Sequence, residues 1–421
     1  VKVLISAYAC EPGRGSEPGV GWNVVRELSS RHELWVLTRA NHEAAIRNSG
    51  EAWTTRVHWI FVDPPLWQTF WKKGGRGLRC FYLLWQRQAL AAARRLVAAE
   101  AIDLVHHLTF GNFLPASPLA DLGLPFVGGP LGGGESMPPD LFDGCDTRTK
   151  WSEWTREAAR ELACRWPGTR RRYRSAAALL AATPATADLL RAMGARRVEV
   201  RFQSALSDDE RVWLGGFATD RSDRSGPLRL VAASRLIGWK GIDLAIDAVA
   251  LARDAGPEVC LTILQDGPER KRLEARVRRL GLAEQVSFEG RLATREEACR
   301  RIGGAEALIH PAWHEAFGQV CLEALAMGVP VICLDWAGPG RIVNESCGYK
   351  VGPGPRPSLV EGLAGAMSRV LEDRPRAGMV AAAARARAAQ FRWQVLCDSL
   401  DASYLSIVDR GRQGGGQEAT R

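Results

Sequence analysis

The 421-residue sequence contains no run of 18 or more apolar residues, so no segment reads as a helix that spans a bilayer. It has ten cysteines but no C-x-x-C pair and no Cys/His cluster at zinc spacing. That excludes a zinc ribbon and a dithiol redox centre, and the scattered thiols fit a reducing, cytoplasmic setting. There is no G-x-G-x-x-G loop, and no acidic residue ends the second apolar run at Leu37 and Thr38. An ordinary NAD site is therefore not expected. The opening run VKVLISAYAC lacks a preceding basic region and reads as a strand, not as a signal peptide.

Hydrophobic residues make up 46% of the chain and charged residues 24%, an ordinary globular balance with material for two cores. The net charge of +9 favours anionic partners, namely nucleic acid, acidic lipid or phosphorylated substrates; the alternative is a solvated arginine-rich surface.

Short apolar runs alternate with helical patterns, the signature of parallel βαβ units. Strands are expected at 3–8, 33–38, 57–62, 104–107, 125–127, 177–182 and 197–202, with a helix at 20–29. A second series has strands at 228–233, 259–264, 286–288, 307–310 and 329–334, with helices at 242–255 and 268–280. The expected fold is α/β, with two facing Rossmann-like, doubly wound domains. An N-terminal domain spans 1–207, a polar linker 208–227, and a C-terminal domain 228–380. Crossover helices are expected at 381–410 and a disordered tail at 411–421.

The most informative stretch is 309–331, IHPAWHEAFGQVCLEALAMGVPV. A strand ends near His310, a loop carries Glu315, and Gly318 opens a helix containing Glu323. A diphosphate seeks N–H donors and the positive end of a helix, and sugar hydroxyl pairs seek carboxylates, so these residues together suit a sugar nucleotide. Upstream, ASRLIGWKG at 233–241 follows a strand and places Arg235 and Lys240 on one loop, where two cations can flank a diphosphate.

The segment EAFGQVCLEALAMGVPVI, with its E-x7-E spacing, resembles the donor-site motif of the retaining family 4 glycosyltransferases, the bacterial glycosyl transferases group 1, which have the GT-B fold. The resemblance covers essentially the whole chain. It implies that Glu315 contacts donor-sugar hydroxyls, that Glu323 holds the ribose, and that amides of Phe317, Gly318 and Gln319 reach sugar or phosphate. ASRLIGWKG is similar to the family's G-R-L-x-x-x-K-G element, with Ser234 in place of glycine, so Arg235 and Lys240 would neutralise the leaving diphosphate. QDGP at 265–268 is similar to a G-x-G-P turn, with Gln265 where glycine is usual. FEGRL at 288–292 resembles the segment whose backbone pairs with the base, which places Arg291 and Leu292 there.

In the N-terminal half the loop EPGRGSEPGVGW at 11–22 would lie under the donor phosphates, with Gly15 and Ser16 in close approach. Glu17 either binds an acceptor hydroxyl or favours the helix N-terminus. In HHLTF at 106–110 the family's active-site histidine falls on His107 in preference to His106. VGGPLGGGE at 127–135 lines the acceptor cleft or forms a plain turn, and FRW at 391–393 resembles the family's crossover region.

The function implied is retaining, metal-independent transfer of a sugar, hexosyl-like, from a nucleotide sugar to an acceptor hydroxyl of a natural product, glycan or lipid-linked intermediate. UDP-sugar is favoured and GDP-sugar allowed, with no cofactor. The chain has no D-x-D, the motif by which GT-A transferases hold a metal on the diphosphate. The alternatives are a GT-B-type sugar-nucleotide epimerase and a non-catalytic protein binding nucleic acid or a membrane surface. No compact nucleic-acid motif is present, and no nucleic acid partner is expected. Basic and aromatic residues mix at 66–85 and 165–174, which suits peripheral contact with an anionic inner membrane face, a charged acceptor, or a simple covering role.

Overall fold

The structure, a computed structural model, describes residues 1–65, 67, 77–143, 147–219, 225–256 and 258–418. The chain forms two compact units. One comprises Val1–Gly134, Ala158–Ala205 and Trp393–Arg421, the other Glu135–Glu157 and Leu206–Arg392.

The first unit is built on seven parallel strands: β1 Lys2–Ala7, β2 Glu33–Arg39, β3 Val57–Val62, β4 Leu104–Thr109, β5 Phe126–Leu131, β6 Ala178–Ala181 and β7 Val198–Val200. Their order is β3-β2-β1-β4-β5-β6-β7. Val3, Ile5 and Ala7 pack on the face covered by helices Glu17–Leu28 and Trp393–Glu418, and Leu4 packs on the face covered by Leu78–Ala99. Covering both faces requires a near-continuous apolar strand, which is why the short runs were visible in sequence. Each fully buried large aliphatic side chain contributes roughly 1.5–3 kcal/mol.

The second unit has six parallel strands: β8 Leu228–Ala233, β9 Val259–Leu264, β10 Val286–Gly290, β11 Ala307–His310, β12 Val331–Leu334 and β13 Gly348–Val351. Their order is β10-β9-β8-β11-β12-β13. In both sheets the chain winds outward in two directions from a central pair, β1/β4 in one and β8/β11 in the other. Loops leaving the carboxyl ends of such a pair diverge and open a crevice, where ligands bind in open α/β sheets.

The two-domain α/β fold is as expected, and the ranges 57–62, 228–233, 242–255, 259–264 and 307–310 coincide with observed elements. Three boundaries need correction. The expected linker contains the helix Asp208–Gly215, capped by a reciprocal Ser207/Glu210 box and part of the second unit; the capping box stabilises a helix in a segment whose polarity alone suggested none. Residues 220–224 of that range lie outside the described ones. The last helix, Trp393–Glu418, runs through most of the expected disordered tail, and 419–421 lie outside the described residues. Residues 135–157, assigned to the N-terminal domain by sequence, belong to the second unit, where Met137 and Leu141 enter the core. The chain leaves that unit at Arg392, beside its entry point, where the Leu206 N–H donates to the Phe391 carbonyl at 3.0 Å.

In the second unit the loops at the carboxyl ends are tied side to side by backbone hydrogen bonds that follow the strand order. Gln265 donates to Gly290 (2.6 Å), Leu236 to Asp266 (3.1 Å), Trp313 to Trp239 (3.1 Å) and Gly338 to Glu315 (2.8 Å). The last tie needs close backbone approach: a Cβ on Gly338 would stand 2.4–2.5 Å from backbone atoms of Phe317. Gly338→Ala is expected to lower stability by about 1–3 kcal/mol through forced displacement of the Phe317 loop, read as a drop in the urea midpoint at unchanged slope.

Candidate active site

Lys240 lies on the loop after β8, in a 3-10 turn (Gly238–Lys240), and Glu315 on the loop after β11. The two side chains meet across the β8/β11 crevice in a close ion pair. His310, at the end of β11, stands behind them with Nε2 3.6 Å from Glu315 Oε2, just beyond hydrogen-bond reach. Burial alone would raise the Glu315 carboxyl, but His310 and Lys240 outweigh it and hold it at about 2. Burial lowers the His310 ring, helped by Lys240 and opposed by Glu315. The site thus keeps an ionised carboxylate, a cation and a neutral-leaning imidazole together.

Gly318, at φ +93°, is the N-cap of the helix Gln319–Ala326 and sets that helix's positive end beside Glu315 and Phe317. Phe317 is buried. Glu323, one turn into the helix, pairs with Arg295 at 2.7 Å. Burial raises its carboxyl, and Arg295 opposes the rise. Arg235, on the Lys240 loop, is exposed and makes no ion pair among the described residues. Arg291 is exposed and Leu292 half-buried directly after β10. The second unit therefore carries Arg235 and Lys240 on the loop after β8, Glu315, Phe317 and Gly318 on the loop after β11, and Gln319 and Glu323 on the helix that follows.

The first unit repeats the device at β1/β4. Glu17, after β1, accepts the Gly111 N–H, after β4, at 2.6 Å, and Gln203 donates to the Gly111 carbonyl at 3.1 Å. Burial raises the Glu17 carboxyl, and the Gly111 N–H pulls against it. Gly15 has open space where a Cβ would stand, so the chain itself makes no close approach there. Ser16 is the unusual residue, with φ +61° and ψ −146°, a conformation that costs a side-chain-bearing residue of order 1–3 kcal/mol. Gln265, where the family resemblance expected glycine, is likewise at φ +79°.

The two histidines of β4 point to opposite faces. His106 is spent on structure: Nε2 meets the Gly129 carbonyl at 2.6 Å and Nδ1 the Tyr404 hydroxyl. Among the described residues His107 makes only long contacts, from Nε2 to the Phe110 carbonyl (3.4 Å) and the Tyr82 hydroxyl (3.5 Å), and its buried Nδ1 has no partner there. Burial depresses both rings to about 4.

Sequence reasoning did not single out Arg295, His310 or the pair His314–Glu153. His310 and His314 sit inside the quoted motif, at a strand end and beside Glu315, and that position was their only signal. The His314 ring is buried, with Nδ1 2.8 Å from the Glu135 carbonyl and Nε2 2.6 Å from Glu153 Oε2. Trp336 Nε1 donates to the Ser136 carbonyl at 3.0 Å. Together these tie residues 135–157 to the loops that carry Glu315 and Gly338. Of the two basic and aromatic segments, positions 66 and 68–76 of the first lie outside the described residues.

Two outcomes follow from this electrostatics. The unfolded chain takes up protons on His106 and His107 near 6.5 and the folded chain only near 4, so stability falls as pH drops from 6.5 towards 4. Thermal midpoints across that window are expected to decline, with a shallower slope in His107→Gln. Glu153→Leu, which leaves the buried His314 Nε2 without its partner, is expected to cost about 1–3 kcal/mol, with part of the loss recovered in Glu153→Leu/His314→Leu, measured by urea unfolding.

Comparisons with known proteins bear on the whole chain. The family "Glycosyl transferases group 1" matches residues 220–387, and "Glycosyl transferase 4-like domain" matches 15–203. A glycogen synthase of Mycobacterium tuberculosis is 32% identical over 195 residues, 46% of this chain and 46% of that protein. A GDP-mannose-dependent alpha-(1-6)-phosphatidylinositol dimannoside mannosyltransferase of the same species is 31% identical over 189 residues, 45% of this chain and 47% of that protein. The chain thus spans about half the length of these relatives. Among solved structures, Anabaena HepE in complex with UDP superposes with a TM-score of 0.60 at 20% identity, covering 96% of this chain and 100% of that one. Two sheets with switch points at β1/β4 and β8/β11, and family matches across both halves, lead to one assignment: the chain belongs to the group 1 glycosyltransferases, family 4, of the GT-B fold.

Proposed function

We propose that the chain is a retaining glycosyltransferase that moves a sugar from a nucleoside diphosphate sugar, UDP-linked by preference and GDP-linked as the second choice, to an acceptor hydroxyl. The observation that carries this is the Lys240–Glu315 pair across the β8/β11 crevice, beside the positive end of the helix Gln319–Ala326. A diphosphate entering there offers Lys240 a second anion, so the ammonium can turn from carboxylate to phosphate and free Glu315 to accept hydrogen bonds from sugar hydroxyls. Arg235, without an ion-pair partner among the described residues, adds a second cation. Glu323 has one oxygen on Arg295 and remaining acceptor capacity for ribose hydroxyls. The UDP complex of HepE and the GDP-mannose dependence of the mycobacterial relative support both bases as candidates.

In this mechanism Lys240, Arg235 and the helix terminus stabilise charge that develops on the departing diphosphate. Transfer is metal-independent, because protein cations take the place of the ion. Front-face attack needs no carboxylate nucleophile, so Glu315 positions the sugar and does not bond to it, unlike the paired carboxylates of retaining glycosidases. His107, with its unpartnered Nδ1, is the group assigned to the donor sugar on the acceptor side.

The test is binding and slow hydrolysis across UDP-, GDP- and ADP-sugars. One nucleotide sugar should bind saturably, with affinity weakened about tenfold or more in Glu323→Ala. Lys240→Ala should lower kcat by roughly a hundredfold, and EDTA should leave the rate unchanged. Absence of binding by any nucleotide sugar, or indifference to Glu323→Ala, would overturn the assignment. An isomerised nucleotide sugar formed without acceptor would replace transfer with epimerisation.

A further inference from the structure

The first unit carries a second concavity that the donor chemistry does not use. It has a volume of about 1000 Å³ and is lined by Arg165, Arg170, Arg171, Arg174 and Arg196, with no acidic residue in its wall. Four of the five come from the end of the helix Thr147–Arg165 and from the helix Pro167–Ser175. Five guanidinium groups around one hollow repel one another, and a fold ordinarily relieves this with carboxylates. Among the described residues two are relieved: Arg165 by Glu161 at 2.9 Å and Arg171 by Asp121 at 2.9 Å. Arg170 is held by the Ala192 carbonyl (3.2 Å), and its Nε is buried without a partner among the described residues. Arg174 and Arg196 make no ion pair among the described residues.

Two exposed apolar side chains neighbour the lining residues in sequence. Trp166, 65% exposed, lies between Arg165 and Pro167, and Leu162, 70% exposed, lies about one helical turn before Arg165. A small inorganic anion gains nothing from an exposed indole and a leucine. The boundary of a bilayer accepts both, since tryptophan settles at headgroup level while arginine meets lipid phosphate. Arginine also suits phosphate better than lysine does, through its planar pair of donors.

We propose that this arginine hollow, with the exposed Trp166 and Leu162 that neighbour its lining residues in sequence, is a docking surface for the phosphate headgroups of an anionic membrane, holding the protein peripherally on the bilayer. The hollow shares no residue with the proposed nucleotide-sugar site, so the proposal stands or falls independently of the transferase assignment.

Flotation of the full chain with phosphatidylcholine vesicles, with and without phosphatidylglycerol, tests this. Retention is expected on the anionic vesicles only and should vanish at high salt. Arg174→Glu/Arg196→Glu alters two exposed side chains without ion-pair partners and should cut partitioning by roughly tenfold or more. Arg174→Lys/Arg196→Lys should keep most of it. Trp166→Ser/Leu162→Ser should also reduce it, and circular dichroism should show all variants folded. No retention, equal retention on neutral vesicles, or retention indifferent to charge reversal would each overturn the proposal. Charge-sensitive capture by heparin or DNA without vesicle retention would also overturn it, making the hollow a soluble-polyanion site. Loss with the arginine variant but not with Trp166→Ser/Leu162→Ser would reduce it to a plain electrostatic contact and reject the membrane docking proposed.

Discussion

A charge withdrawn from water must be compensated where it sits, and in this protein that requirement shapes both crevices. At β8/β11 a carboxylate and an ammonium from opposite sides of the opening compensate each other, with an imidazole behind them. At β1/β4 a carboxylate is compensated by a backbone N–H from across the opening. In each case the partner comes from the other central strand, so each bond also closes the gap that diverging loops would leave. The hydrogen bonds running from Gly290 through Leu236, Trp239 and Glu315 to Gly338 extend the same constraint along the rim. A side chain on that rim is positioned by its neighbours as much as by its own strand. This is the preorganisation that electrostatic catalysis needs.

The parts legible in sequence were those governed by local periodicity or by a short contiguous string. The strands at 57–62, 228–233 and 307–310 are apolar runs bounded by polar residues, and burial on both faces leaves them no other composition. Glu315, Gly318 and Glu323 fall within nine residues, so their spacing on a loop and one helical turn was visible directly. What escaped was non-local. Arg295 is 28 residues from Glu323, and Glu153 is 161 residues from His314. No window of sequence holds both partners, and a buried glutamate on an otherwise polar helix carries no mark of its burial. The helix Asp208–Gly215 was missed for a different reason: its acidic first turn and Ser207 cap are helix-start signals, but in a stretch rich in Gly, Ser and Asp they resembled a linker.

Strain falls on loops that leave the carboxyl ends of the strands. Ser16 and Gln265 each adopt a positive φ that glycine would take freely, one on the loop after β1 and the other on the loop after β9. Surrounding hydrogen bonds hold Gln265, whose N–H is committed to Gly290. Such residues persist when the neighbourhood over-determines them.

Residues 135–157 bear on how such enzymes can be taken apart. The segment arises within the N-terminal half of the sequence, yet Met137 and Leu141 fill the second core, and Glu153 seats the histidine next to Glu315. A chimaera that exchanges the C-terminal half at the obvious junction near residue 206 would separate this segment from the partners it grew up with. It would leave His314 facing a foreign wall and a gap in the core where Met137 stood. Exchange of the second unit between relatives therefore requires two pieces of chain to travel together, one from each half, and modularity in this protein is a property of the folded units and not of the linear sequence.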